Sequence, residues 1–280
     1  MLQSADKGKA GLDDETESLR LGSNSNLNLT ELLKERARCI AEVKSFCFVI
    51  KETLIEVYGI QQLVRSRVNQ ELLENFVTAL VLEGPIYILL YGLIALSEYD
   101  QLQKLGIIVQ NAQVDLANLQ VSAVFQMSEE FKAAVLSSQE TDKNPKSAAI
   151  PNQTHASCAV LPYHMTISHL WMLQWEQSPI AKIDLVYQAL KYTLASEVDT
   201  FWEDTERFLS HGERNIDIDN LQGIAIYIVW ALKQPSLLVD CLITSEFLSK
   251  GTKLSTRTLF LNVLKNSIEF LLDIQVDQNP

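Results

Sequence analysis

The 280-residue chain predicts an all-α fold, a layered helical bundle, on three observations. Every long segment repeats its apolar residues at the 3.6-residue helical period, and no useful stretch alternates as a half-buried strand does. Glycine and proline are sparse, at 10 and 7 residues, while 47% of residues are hydrophobic, a balance that suits helices around a buried core. The segment from Asp217 to Leu238, DIDNLQGIAIYIVWALKQPSLL, is apolar on nearly every side, and such a helix belongs inside a protein.

Residues 1–29 are rich in Ser, Asn and Asp without apolar periodicity and read as a disordered tail. Asn28 or Thr30 can cap a first helix, in which Leu33, Ala37, Ile40, Val43, Cys47, Ile50, Leu54 and Val57 form one stripe up to Gly59. Helical patterns continue over about 62–82, 85–105 and 114–137, so residues 30–137 make an N-terminal helical part. Residues 138–162, with three prolines among small polar residues, break the pattern as a linker or surface insertion.

The pattern restarts near Met165, and residues 163–275 hold the remaining core helices. Ser178-Pro179 is a helix start, with Ser as cap and Pro in the first turn, and the helix runs on to about residue 206. The central helix over 219–233 takes Asp219 or Asn220 as its cap and Pro235 as its stop. A helix over 236–249 ends at Gly251, and a last one over 256–274 turns Phe260, Leu264, Ile268 and Leu271 inward.

Composition narrows function. A formal charge of −12 disfavours nucleic acid, whose phosphates need Lys and Arg, and disfavours unaided adsorption to anionic membranes. A protein partner with a basic face remains compatible. Cys39, Cys47, Cys158 and Cys241 are widely spaced, which reads as reduced thiols in an intracellular compartment, and Met1 to Asn28 shows no secretory leader pattern. Residues 76–96 come closest to a membrane span, but Glu83-Gly84-Pro85 near the centre reads better as a break between two core helices, with no integral span.

Catalytic and phosphate-binding signatures such as GxGxxG, GxxxxGK[ST], GxSxG and HExxH do not occur. Cys158, His164 and His169 fit no metal-ligand spacing, and His169 reads as a packed helix histidine, so neither metal nor cofactor is implied. Glu197, Asp199, Glu203, Asp204 and Glu206 crowd one helix end, where negative charge is unfavourable. The run is either a solvated face or a contact for a basic partner. Asp219 has an ordinary reading too, as a helix cap.

Three segments, in order, resemble the vacuolar protein sorting nine (Vps-nine) domain. Leu80-Val81-Leu82-Glu83, then Ile86-Tyr87 and Tyr91, resemble its early apolar-Tyr helix. Residues 167–194 resemble its helix pair joined by Ser-Pro, with Ser178, Pro179 and Lys182 in place. Residues 219–272 resemble its acidic pair, apolar helix with a central Tyr, Pro, aromatic-ended helix, turn and final helix, here Asp219-Asn220, Tyr227, Pro235, Phe247, Gly251 and Ile268-Glu269-Phe270-Leu271. The resemblance covers most of residues 65–275.

The resemblance implies guanine nucleotide exchange on a Rab-family small GTPase of the Rab-five class, in a cytoplasmic protein recruited to endosomes through partners. It makes Asp219 the catalytic carboxylate that reaches the GTPase's phosphate-loop lysine and opposes Mg²⁺. It makes Asn220, Tyr227, Leu259 and Asn262 GTPase-binding positions. Leu259 and Asn262 stand where the family carries Tyr and Thr, which leaves the alternative of an exchange-dead scaffold that binds a GTPase or an assembly partner through the same groove.

Overall fold

A computed structural model describes residues 25–140, 161–203, 209–210, 212–253 and 255–274. All regular elements among them are helical. The first helix, α1 (Ser25–Val57), starts five residues before Thr30, so the proposed caps lie inside it and the end of the proposed tail is helical. The rest of that tail lies outside the described residues.

The helix read over 62–82 is two elements, a 3₁₀ turn (Ile60–Arg65) and α2 (Arg67–Leu82). Ser66 adopts extended backbone between them and its hydroxyl accepts the Asn69 N–H, which makes it a cap. Gly84, at φ 78°, then turns the chain by 81° into α3 (Pro85–Ser97). No single described helix is long and apolar enough to cross a membrane, though α2 and α3 together meet the length and composition of a bent span. The helix read to Leu105 is interrupted at Glu98, which pairs with Arg36 of α1, and α4 (Tyr99–Asn111) follows.

The largest departure from expectation lies at 112–127. A helix was predicted from residue 114, yet the chain runs as a loop with a 3₁₀ turn (Ala123–Gln126), and α5 (Glu129–Glu140) begins only after Ser128. The apolar residues that suggested a helix, Leu116, Val121 and Phe125, are buried from the loop. Large side chains elsewhere satisfy its backbone. The indole N–H groups of Trp230 and Trp202 donate to the carbonyls of Ala112 (2.8 Å) and Val124 (2.9 Å), and the Tyr163 hydroxyl donates to that of Phe125. With those groups paired, irregular backbone can lie against the core.

The second half opens with α6 (His164–Trp171) and a 3₁₀ turn (Met172–Trp175). One continuous helix follows as α7 (Pro179–Tyr187), a π-helical segment (Gln188–Thr193) and α8 (Leu194–Phe201). Glu197 of α8 is buried and accepts from the backbone N–H groups of Met165 and Thr166 at 2.8 and 2.9 Å. It therefore caps α6 and, being buried, belongs neither to a solvated face nor to a contact for a basic partner. Asp199 pairs with Arg214 at 3.5 Å, while most of the remaining run lies outside the described residues.

The central helix is α9 (Ile218–Leu232), buried along nearly its whole length, and Lys233 ends it in the left-handed conformation before Pro235 is reached. It is followed by α10 (Leu237–Phe247), the single turn α11 (Lys250–Lys253) and α12 (Thr256–Asp273). The most extensive helix contact is α9 on α12, and α6 packs against another side of α9. Helices α1, α2 and α3 form an outer layer that reaches the rest mainly through α10 and α7. At that junction Lys182 and Asp240, 1% and 2% exposed, pair at 2.6 Å. Lys182 also donates to the Leu173 carbonyl at 2.6 Å and lies over the Tyr87 ring.

Candidate functional site

The N-terminal turn of α9 emerges from the core beside the 112–127 loop. Asp217, in extended backbone, is the cap, and its carboxylate accepts the Asn220 backbone N–H at 2.8 Å. This replaces the expected caps Asp219 and Asn220. The reason is local: three side chains in Asp217-Ile218-Asp219-Asn220 can cap, and the one where the backbone leaves helical dihedrals does so. Asp219 is left exposed in the first turn, with no hydrogen bond or ion pair among the described residues. Its carboxylate also lies near the positive end of the helix dipole.

Asn220 is used internally. Its carbonyl oxygen accepts the Ser122 N–H at 2.7 Å, and its amide donates to Asp217 at 2.9 Å. It clips the 112–127 loop to the helix start and is therefore a positioning residue for Asp219. One turn on, Gly223 lets the loop approach, since a Cβ there would collide with Val121 and press on the Leu119 carbonyl. Tyr227 is only 6% exposed and packs edge-on to Tyr163 and tilted against Trp230. It belongs to the core. Burial, with Asp115 nearby, pushes its phenol pKa up.

Leu259 and Asn262 are both exposed on α12, the helix packed most closely on α9. With Asn266 and Phe270 they make one exposed stripe at helical spacing. The amide of Gln222 donates to Ser267 at 2.9 Å and so ties the first turns of α9 to the middle of α12. The structure thus sets Asp219, Leu259 and Asn262 on the outside of two joined helices and turns Asn220 and Tyr227 inward.

Sequence reasoning missed a cationic and aromatic cluster flanking Leu259. Arg257 stacks over Tyr187 and pairs with Asp184 at 2.9 Å, while Phe260 meets the same ring edge-on. Exposed Lys191 donates to the Tyr187 hydroxyl at 2.6 Å and lies over the Tyr187 and Tyr192 rings. The hydrogen bond from Lys191 lowers the Tyr187 pKa. The signal available was Tyr187 and Lys191 at i, i+4 spacing. What hid it is the π segment, which rotates Tyr192 relative to a regular helix and gathers all three onto one surface.

Among the described residues, no three His, Cys, Asp or Glu side chains cluster closely enough to hold a metal ion. His169 hydrogen-bonds Thr193 at 3.0 Å, as a packed helix histidine does. Cys158 lies outside the described residues. Lys182 and Asp240 form the most deeply buried ion pair among the described residues, and burial raises the Asp240 pKa against the opposing pull of Lys182. With both side chains enclosed it serves the fold rather than a ligand. Compared with known proteins, the chain matches no family model, and no curated protein or solved structure matches it.

Proposed function

We propose that this protein is a guanine nucleotide exchange factor for a Rab-five-class small GTPase, acting at the cytoplasmic surface of endosomes to which partners recruit it. One observation carries the reading: Asp219 presents an exposed carboxylate, unpartnered among the described residues, on the first turn of the core helix, with capping already supplied by Asp217. A small GTPase holds its nucleotide through Mg²⁺ and a phosphate-loop lysine. A carboxylate inserted beside them attracts the lysine away from the phosphates and repels the phosphate oxygens, which weakens nucleotide binding. The rigid first turn of α9, clipped by Asn220 and tied to α12 by Gln222, fixes the direction in which Asp219 points. Leu259 and Asn262 extend the contact along α12.

A second reading, a scaffold that binds the GTPase without releasing its nucleotide, is favoured by a specific observation. The second residue of the acidic pair is Asn220, which is spent on Ser122, and α12 offers the apolar Leu259 at the contact. Release of a fluorescent GDP analogue from a panel of Rab proteins separates the two. Acceleration of one Rab subset supports exchange, whereas binding to a GTPase without acceleration supports the scaffold. Neither binding nor acceleration across the panel rejects both.

A further inference from the structure

Between α7 and α8 the π-helical segment changes which side chains meet at the surface. In a regular α-helix a residue five positions after Tyr187 points about 140° away from it. A π turn, with bonds from i to i+5, brings Tyr192 round until its ring meets Tyr187 edge-on, 5.5 Å between centroids. The Thr193 hydroxyl holds this turn, donating to the Gln188 carbonyl at 3.3 Å and bonding His169 at 3.0 Å. Lys191 then lies 4.9 and 5.2 Å from the two ring centroids, and Arg257 of α12 comes within 6.0 Å of that of Tyr187.

Two cations thus share one ring on a chain with 35 acidic and 23 basic residues. Asp184 answers Arg257 at 2.9 Å, but exposed Lys191 makes no ion pair among the described residues. We propose that Lys191 and Arg257 form a second contact for the small GTPase, one that takes an acidic side chain of that partner and so selects among GTPases. The identity of the partner rests on the exchange reading. Helix α12 connects the two contacts. Arg257 lies in its first turn, two positions before Leu259, while Gln222 ties the start of α9 to Ser267. Those points on α12 are ten residues, about 15 Å, apart. A standard interface of about 800 Å² per partner covers that span.

The tyrosine rings serve such a contact in two ways. They hold the Lys191 ammonium without neutralising it, so its charge stays available to a partner. They also restrict where it sits, which lowers the cost of ordering a long side chain on binding. An anionic lipid headgroup is the competing occupant. It fits less well, because adsorption to an anionic membrane draws on clusters of about four to eight basic residues. Here two stand together on a chain of formal charge −12.

Association of the full chain with the nucleotide-free form of the tightest-binding Rab tests it, followed by stopped flow at low and raised salt. Lys191→Glu and Arg257→Glu should each slow association about tenfold at low salt and flatten its fall with added salt, with dissociation little changed. Lys191→Arg keeps the charge and should keep the wild-type rate. Circular dichroism establishes that each variant is folded. At saturating concentration Lys191→Glu should still release fluorescent GDP at the wild-type rate, because this contact lies apart from Asp219. Wild-type association and salt dependence in both glutamate variants overturn the proposal and leave the role of Asp219 standing. Slowed association in those variants, beside an Asp219→Asn protein as active as wild type, keeps this contact and removes that role. A chain that binds no Rab removes both. Binding to phosphatidylserine vesicles that is lost in the glutamate variants, with Rab association unchanged, overturns the proposal and assigns the cations to lipid.

Discussion

At the scale of single residues, the candidate site depends on a division of labour within four consecutive positions. Asp217 caps, Asp219 projects and Asn220 holds the neighbouring loop. Asn220→Ala removes the acceptor for the Ser122 N–H and should cost about 1 kcal/mol, measured as a lower urea midpoint. An unchanged midpoint would mean that the clip contributes nothing. Part of this was legible in the sequence. The all-round apolar pattern of α9 implies that its central residue, Tyr227, is buried, and the structure buries it. The choice of cap was not legible, because Asp217, Asp219 and Asn220 are chemically equivalent for the purpose and only the backbone distinguishes them.

At the scale of elements, long periodic segments were readable and their breaks were not. The ends of α9, α10 and α12 fall close to where Pro, Gly and the apolar rhythm put them. The 112–127 loop misled because its apolar residues are buried as a helix's would be, while its backbone depends on Trp202, Trp230 and Tyr163, all distant in sequence. A comparable long-range tie joins α2 to α11. Glu71 accepts the hydroxyls of Thr252 at 2.7 Å and Ser249 at 2.9 Å, directly over Gly251, where a side chain would strike the carboxylate. Those hydrogen bonds, Thr252 first, hold the Glu71 pKa below its ordinary value of 4.5.

The sign of the pH effect follows. A depressed carboxyl pKa contributes stability above the unfolded value, and that contribution is lost as pH falls through the folded one. Glu71→Gln should therefore be less stable than wild type near neutral pH, and the gap should close below about pH 4.5 as the wild-type carboxylate protonates. Thermal melts of both proteins across that range check it. A gap that stays constant with pH would show that the charge of Glu71 is not what the hydroxyls stabilise.

At the scale of the whole molecule, the buried Lys182–Asp240 pair joins α7 to α10, the two helices on which the outer layer rests, and Tyr87 of α3 reaches it, its hydroxyl donating to Asp240 at 3.4 Å. Lys182→Met leaves Asp240 enclosed without its partner and should cost about 3–5 kcal/mol, whereas Lys182→Met with Asp240→Leu should recover most of it. Denaturation of the single and double variants measures the difference. A single variant as stable as wild type would remove the pair from the account of how the layers are held.

The joined layers hold α9 so that one acidic side chain leaves the core at a defined point. Asp219→Asn probes that side chain alone. The substitution keeps the size of the side chain, leaves the Asp217 cap in place and removes only the charge. The measurement is the rate of fluorescent GDP release from the most responsive Rab, with wild type and with Asp219→Asn. Loss of most of the acceleration, with binding to the nucleotide-free GTPase retained, is the predicted result. Equal acceleration by the two proteins would contradict it, because the carboxylate of Asp219 would then have no part in nucleotide release.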